Sequence, residues 1–378
     1  MFNLHKYIIG FCSLLLAAII FSLTTYSQHI NSAISIAAMP SSDVPEYTKI
    51  SSMDDYLKVI NLGMQNLQTS LTLDITGLST DPQVYADKAT TLYPLTKVSV
   101  KLKKSQSRAT LYVDYEISQA YRVLYSLKSD LAKSRLTEMD NILLETATEI
   151  NKKIIKPNMK DYQKEKAIHD YIVSNTSYDQ VNLDNNTLPK AAFTAAGVLT
   201  NKTGVCQGYA EAIMLLLNLE NVECTMVYGE TTEGASHAWN AVKLDGAWYM
   251  LDAVYDDPVV YTKDKTRKEI LLHEFFNVTS AQLSKTHKWD KNKFPVANST
   301  KYNYFVKEQK VVRTYKEFKA YIKKQIKAGH KDIECYVYNY NPNTYSLSFI
   351  YGLTNKSSIS TILPEKGRKE GYMRISIS

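Results

Sequence analysis

Two spacings of apolar residues alternate along the first part of the chain. Apolar side chains recur every three or four positions over residues 53–67, which predicts a helix with one buried face. The segment "LTLDIT" (71–76) then alternates apolar and polar residues, and the runs 97–103 and 109–118 do the same. A period of two indicates strands with one buried face. Residues 51–126 are therefore predicted to form a small α+β module.

The same pattern returns near the C-terminus at a constant distance of 262 positions. The six apolar positions and their six counterparts are Tyr56, Ile60, Met64, Leu71, Leu73 and Ile75, then Phe318, Ile322, Ile326, Ile333, Cys335 and Val337. Two interpretations fit: residues 296–378 are a second copy of the N-terminal module, or two ordinary amphipathic units coincide in spacing. In a second copy, Cys335 is a strand residue that faces the core.

Long helices followed by strands are predicted for the middle of the chain. Residues 127–156 are predicted to form one or two helices that end at Pro157. Their common apolar face consists of Leu131, Leu136, Met139, Ile142, Leu143, Ala147 and Ile150. Another helix is predicted over Asp161–Ser174, and a helix, a strand, a loop and a strand over 193–256. This order predicts an α+β core with helices packed on a mostly antiparallel sheet.

The N-terminus has the organisation of a secretory signal. An apolar run from Tyr7 to Leu23 follows Lys6 and precedes the polar segment "TTYSQHINS", and cleavage after Ser27 fits this pattern. The run also approaches the roughly 20 apolar residues of a membrane span, so an uncleaved N-terminal anchor over 1–27 is the alternative. Residues 28–50 show neither the helical nor the strand spacing of apolar residues and are predicted to be a linker. We expect a secreted or membrane-anchored protein at an extracytoplasmic, Gram-positive-like cell surface.

Composition narrows the set of partners. The chain has 378 residues, of which 44% are hydrophobic and 22% charged, enough to bury at least one full core. The formal net charge of +7 is spread along the chain without a dense run of Lys and Arg. This distribution suits contact with an anionic cell wall and argues against nucleic-acid binding. Contact with a membrane is expected only through an uncleaved N-terminal helix.

The cysteines argue against disulfides and metal. Of four cysteines, Cys12 lies in the N-terminal apolar run, which leaves Cys206, Cys224 and Cys335. An odd number does not fit a disulfide framework in an exported protein. The sequence has neither a C-x-x-C motif nor a histidine cluster with zinc spacing, so we expect no metal and no cofactor. Cys224 lies in an alternating apolar segment and is expected in the core.

The segment "TGVCQGYAEA" (203–212) places Cys206 between two glycines at the start of a predicted helix. Burial as a small apolar residue is one explanation for such a cysteine. The other is chemical, because the N-terminus of a helix carries a partial positive charge and free N–H groups that favour a thiolate. The backbone N–H of Cys206 is then a candidate donor to an oxyanion.

A predicted hairpin places a histidine and a carboxylate together. His237 begins the strand "HAWNAVKL", the turn follows at Asp245–Gly246, and the returning strand ends near Asp252. With this turn, position 237 lies opposite 252–254, so Asp252 is placed to orient the His237 ring and stabilise its protonated form. Asp256 and Asp257 are alternatives for this role, although their expected position is in the turn before Pro258.

Other polar and aromatic residues near these three are candidates for site support or substrate contact. They are Gln207, Gly208, Tyr209, Trp239 and Asn240. The remaining histidines of the region, His169, His273 and His287, are expected to be structural.

The order of Cys206, His237 and Asp252 in "GVCQGYA", "HAWN" and "WYMLDAVYDDP" resembles the transglutaminase-like superfamily, which has a papain-like core. The resemblance extends to residues 165–179 and 275–289 and covers about 130 residues of a domain placed at 127–295. It implies a nucleophile at Cys206, a general base and acid at His237, and an orienting carboxylate at Asp252. The chain differs at Val254 and Tyr255, where the family more often has Thr and Trp.

The resemblance implies acyl transfer through a thioester at a peptide or carboxamide carbonyl. Water as acceptor gives hydrolysis and a lysine amine gives cross-linking; we expect hydrolysis, because a site open to water hydrolyses by default. The substrate is then a protein or peptide, such as one associated with the cell wall. The alternative is a non-catalytic surface protein whose flanking modules bind wall polymers while the central domain acts as a scaffold.

Overall fold

The computed structural model describes residues 42–90, 95–258, 260–261, 267–268, 270–354, 359–364 and 368–377. The predicted signal or anchor (1–27), with Cys12, lies outside the described residues, as does most of the predicted linker. Within the described ranges, no helix combines the length and the apolar character that crossing a membrane requires.

The N-terminal module is a four-stranded sheet covered by two helices. Its elements are β1 (Thr48–Lys49), α1 (Met53–Gln65), β2 (Ser70–Asp74), α2 (Pro82–Thr90), β3 (Leu95–Lys104) and β4 (Ala109–Ile117). The strand order is β1-β2-β4-β3, and only the β1–β2 pair is parallel. The end of the predicted linker is part of this sheet, because β1 pairs with β2 and Val44 and Ile50 are buried. Because β1 has only two residues, it is too short to show the alternation of apolar and polar residues by which a strand is predicted.

Four helices connect this sheet to the centre of the molecule. They are α3 (Gln119–Ser126), α4 (Asp130–Lys133), α5 (Glu138–Ile154) and α6 (Asp161–Asn175). The predicted common face of 127–156 is wrong at Met139 and Ile142, which are exposed. Helix α5 begins only after Thr137, whose side chain caps it, so the preceding residues do not share its axis. Its buried face includes Leu143, Ala147 and Ile150.

The central sheet is antiparallel and lies beside a buried helix. Its region contains β5 (Ser177–Tyr178), α7 (Gln180–Asp184), a 3-10 helix (Lys190–Phe193), α8 (Ala195–Asn201), β6 (Thr203–Gly204), α9 (Cys206–Leu219), β7 (Cys224–Thr231), β8 (Ser236–Leu244), β9 (Ala247–Leu251), β10 (Val260–Tyr261), β11 (Arg267–Lys268), α10 (Ser280–Leu283) and β12 (His287–Lys288). The strand order is β12-β7-β8-β9, and α9 packs against β8. The predicted α+β class, with the cysteine-bearing helix on an antiparallel sheet, is confirmed.

The C-terminal module repeats the topology of the N-terminal one. It contains α11 (Tyr304–Lys307), β13 (Val311–Val312), α12 (Tyr315–Lys327), β14 (Asp332–Val337), α13 (Ser348–Tyr351), β15 (Ile359–Ile362) and β16 (Gly371–Ile377). The strand order is β13-β14-β16-β15, again with only the first pair parallel. The parallel pair Lys49–Asp74 has its counterpart in Val311–Tyr336, 262 positions later.

The side chains at the twelve matched positions also occupy equivalent places. All of them are buried except Ile326, which is half-buried. Ser52 and Thr314, also 262 positions apart, each cap the following helix with a side-chain oxygen. The two flanking sheets therefore agree in element order, register and helix cap.

Glycines allow α9 to begin close to neighbouring backbone. A Cβ atom added to Gly208 would lie 2.5 Å from the Ala192 carbonyl oxygen. Backbone cannot move aside as the end of a flexible side chain can, so only glycine fits here without displacing α9.

We expect Gly208→Ala to lower the free energy of unfolding by about 1–3 kcal/mol, the usual cost of overpacking. Gly352→Ala is the matched control, because its added Cβ would meet only the Phe349 carbonyl oxygen at an ordinary 3.6 Å. Urea unfolding of both variants measures the difference. Equal stability of the two would contradict the close approach at Gly208.

Candidate active site

Cys206 is the first residue of α9, and two sets of backbone contacts fix this end of the helix. The Val205 N–H donates to the Ala192 carbonyl at 2.9 Å, and β6 pairs in parallel with β5 just before the cysteine. Val205, the residue before the helix, offers no side-chain hydrogen bond to the first turn. Because Cys206 is the first helical residue, its thiol lies at the positive end of the helix dipole. Cys206 is buried, with 8% of its surface exposed.

The β8–β9 hairpin brings His237 and Asp252 together as predicted. Asp245 and Gly246 both have positive φ, which defines the two-residue turn, and Leu244 pairs with Ala247 across it. The His237 Nε2 atom lies 2.6 Å from Asp252 Oδ2.

The Asp252 carboxylate is itself held by backbone. Its Oδ1 atom accepts hydrogen bonds from the N–H groups of Val254 (3.0 Å) and Tyr255 (3.1 Å) in the turn after β9. These bonds fix the carboxylate while its other oxygen faces His237. The orientation of the imidazole ring is therefore set by a side chain that is rigid on its own.

The Cys206 side chain also acts on His237. Burial by itself lowers the pKa of His237, but the Asp252 carboxylate and then the hydrogen-bonded Cys206 side chain raise it, to about 10. Burial raises the pKa of Asp252, but the His237 and His287 rings lower it by more. The net shift is downward, so the carboxyl remains ionised. His237 thus contacts the Asp252 carboxylate directly and lies close enough to Cys206 for that side chain to raise its pKa.

A second histidine, His287 on β12, shares the same carboxylate. Its Nε2 atom lies 2.9 Å from Asp252 Oδ2, and its Nδ1 atom lies 2.7 Å from the Thr286 hydroxyl. Burial lowers the pKa of His287, which favours the neutral ring. A neutral ring facing a carboxylate donates from Nε2, so Nδ1 accepts from Thr286. The sequence predicts only a structural role for His287, and its place beside Asp252 follows from the pairing of β12 with β7.

The other sequence candidates surround this chain at different distances. Trp239 stacks on His237, with ring centroids 5.8 Å apart and planes at 27°. Asn240 donates from Nδ2 to the Ala210 carbonyl at 2.9 Å and so ties β8 to α9. The Tyr209 hydroxyl donates to Asp257 Oδ2 at 2.7 Å. Gln207 is half-buried, two positions before Tyr209 on the same helix.

Asp256 and Asp257, the alternatives to Asp252, have other partners. Asp256 Oδ1 accepts from the Phe275 N–H at 3.0 Å, and Asp257 receives the Tyr209 hydroxyl. Both lie in the turn before Pro258, and both are buried and bind distant elements. Distance along the sequence could not separate three carboxylates within six residues; their side-chain partners in the structure do.

Cys224 and Cys335 differ from Cys206 in their surroundings. Both are buried, and burial raises the pKa of each thiol, that of Cys335 to about 12. Each faces a core, as the alternating patterns predicted. Cys206, Cys224 and Cys335 are all free thiols.

Comparison with known proteins agrees with this arrangement. Residues 148–253, which include Cys206, His237 and Asp252, match the family model of the Transglutaminase-like superfamily. The central part of the chain is therefore a transglutaminase-like domain, and the resemblance deduced from the sequence is confirmed. The segment 275–289 lies beyond the matched range.

The curated relatives cover this same region. The chain is 28% identical to the Kyphoscoliosis peptidase of Homo sapiens over 163 residues, which is 40% of this chain and 22% of that protein. It is 25% identical to the Mus musculus protein over 167 residues, 41% of this chain and 24% of that protein. The chain thus spans less than a quarter of the length of these relatives.

A solved structure described as a TGase also aligns, at 16% identity and a TM-score of 0.29. The alignment covers 55% of this chain and 58% of that one.

The raised pKa of His237 predicts a pH dependence of stability. The protonated ring is favoured by folding, so its contribution is complete below the unfolded pKa of about 6.5 and is lost as pH rises through about 10. We expect His237→Gln to destabilise the protein more at pH 6 than at pH 10, measured by urea unfolding. His330→Gln, at an exposed position, serves as control. A stability difference that is constant across this range would contradict the buried charge.

Proposed function

We propose that the protein is an exported cysteine enzyme that cleaves amide bonds in proteins or peptides by acyl transfer through a thioester. The observation that carries this proposal is the 2.6 Å contact of His237 with Asp252, together with the effect of Cys206, at a helix N-terminus, on the pKa of His237. A thiol, an imidazole and a carboxylate in this order form the constellation for nucleophilic catalysis by cysteine.

In the first step, His237 holds the proton of the thiol as an imidazolium, and the Cys206 sulfur attacks the carbonyl carbon. The carbonyl oxygen becomes an oxyanion, and the Cys206 backbone N–H at the start of α9 is a donor placed to bind it. The imidazolium then protonates the departing amine nitrogen as the C–N bond breaks. A thioester and a free amine result.

In the second step, His237 removes a proton from the acceptor, which attacks the thioester, and the imidazolium returns that proton to sulfur as the thiol leaves. Water as acceptor gives a carboxylic acid, and a lysine amine gives a new amide. We propose water as the main acceptor, since no feature of the described site marks an amine-binding pocket. The name of the human and mouse relatives, Kyphoscoliosis peptidase, also supports hydrolysis.

Asp252 keeps the His237 ring in the tautomer that faces sulfur and stabilises the imidazolium in both steps. Its other histidine partner, His287, donates a second hydrogen bond to the same oxygen. This bond helps keep the carboxylate ionised and in place. The location at the cell surface and a wall-associated substrate rest on the N-terminal sequence and the net charge of +7.

We expect iodoacetamide, at limiting concentration near pH 6, to modify Cys206 at least about 100-fold faster than Cys224 or Cys335. The latter two thiols are buried and have raised pKa values, so almost none of either is thiolate. Peptide mass mapping of the labelled protein measures the three rates. In His237→Ala the advantage of Cys206 is expected to disappear.

Equal, slow labelling of all three cysteines in the wild-type protein would instead favour the non-catalytic alternative. In that alternative the two flanking sheets, which share one topology, bind wall polymers and the central domain is a scaffold. The protein would then be expected to sediment together with isolated cell walls, which measures this binding directly.

Incubation of the protein with wall peptides, candidate proteins and a labelled primary amine tests the reaction itself. We expect new carboxyl ends that take up ¹⁸O from labelled water and little amine incorporation. Cys206→Ser is expected to lose at least about 10³-fold in rate, as is typical for loss of a nucleophile that acts within a triad. Incorporation of amine as the main product would overturn hydrolysis but keep the acyl transfer.

A further inference from the structure

A second group of titratable side chains lies outside the Cys206 site. His169 and Asp170 are neighbours on α6, and His273 follows β11 more than a hundred residues later. Asp170 Oδ1 lies 3.1 Å from His169 Nδ1 and 2.9 Å from His273 Nε2. One carboxylate oxygen thus stands between two imidazole nitrogens, and the three atoms lie within 4.8 Å of one another.

The far nitrogen of each ring faces another carboxylate. His169 Nε2 lies 3.2 Å from Asp256 Oδ2, and His273 Nδ1 lies 3.2 Å from Glu334 Oε1. Histidines that bind metals usually donate the other ring N–H to a carboxylate, which fixes the tautomer and makes the ligating nitrogen more basic. Both rings of this cluster have a carboxylate oxygen at ion-pair distance from that nitrogen, but neither contact has the geometry of a hydrogen bond.

We propose that His169 Nδ1, His273 Nε2 and Asp170 Oδ1 bind a divalent transition-metal ion of the Zn²⁺ type. Two imidazoles and a carboxylate form a common donor set for this ion. Tetrahedral bonds of 2.0–2.1 Å separate neighbouring ligand atoms by about 3.3 Å, so the two contacts with Asp170 would open by a few tenths of an ångström. The two imidazole nitrogens, which lie within 4.8 Å of each other, would take the same separation. Water fills the fourth position, and each ring gives up the proton it shares with Asp170.

Burial and charge fit a bound cation. His169 is fully buried and His273 is 4% exposed, whereas the Asp170 side chain is 26% exposed and opens the cluster to solvent. Lys166 Nζ binds the other oxygen, Oδ2, so its charge lies on the far side of the carboxylate from the rings. Two buried imidazole nitrogens and one carboxylate oxygen therefore lie close together, beside a side chain that is partly exposed.

The cluster joins separate parts of the fold. Glu334 lies on β14 of the C-terminal sheet and also accepts hydrogen bonds from Tyr304 and Lys310. Through His273, an ion held by α6 would fix the C-terminal sheet against the transglutaminase-like domain. The site is thus structural and independent of the reaction proposed at Cys206.

Titration of metal-depleted full-length protein with Zn²⁺ and Co²⁺ tests the site. We expect one equivalent of Zn²⁺ by calorimetry, a Co²⁺ absorption spectrum typical of nitrogen and oxygen ligands, and a melting temperature that rises with metal concentration. Asp170→Asn and His273→Gln should weaken binding at least about 100-fold, and Glu334→Gln about 10–100-fold through the outer shell. His330→Gln, at an exposed position, should bind as the wild-type protein does.

Three results would overturn the proposal: no binding by the wild-type protein, equal binding by Asp170→Asn, or loss of binding in His287→Gln instead. The last result, with intense sulfur-to-cobalt bands, would place the ion at Cys206, whose neighbours His237, Asp252 and His287 form another candidate group. If a variant fails to fold by circular dichroism, anomalous scattering from a zinc-soaked wild-type crystal decides between the two places.

Discussion

The buried carboxylate of Asp252 is the constraint on which the arrangement of the central domain depends. An ionised carboxylate without partners is costly to bury, and this one is 1% exposed. Two backbone N–H groups and two histidine rings compensate it. The same four contacts fix the turn after β9, the ring of His237 and the end of β12. The contacts that compensate the Asp252 carboxylate therefore also position the His237 ring near Cys206.

Cys206 lies near His237 and Asp252 because polar contacts fix α9 against the central sheet. Asn240 on β8 binds the Ala210 carbonyl one turn into α9, and Gly208 lets the helix approach the Ala192 carbonyl. Glu211, on the same helix, accepts the Ala195 N–H at 2.7 Å and so holds α8. These are buried polar contacts with defined geometry, which specify a position more sharply than apolar packing does.

The flanking sheets are attached by polar contacts as well. On the N-terminal side, Arg135 forms an ion pair with Asp43 at 2.6 Å. On the C-terminal side, Arg374 on β16 donates to the Leu271 carbonyl at 2.8 Å, next to the His273 cluster. Two sheets of one topology thus flank the transglutaminase-like domain, and the boundaries 127 and 295 remain predictions.

The sequence by itself determined the local structure: the period of the strands, the hairpin turn at Asp245–Gly246, and the helix that starts at Cys206. It also placed His237 opposite residues 252–254, because a two-residue turn sets the register, and left Asp256 and Asp257 as alternatives to Asp252. Only the tertiary structure decided which contacts form between residues distant in sequence. His287 beside Asp252, and His273 beside Asp170, depend on the docking of segments 35 and 103 positions away, which no local spacing encodes.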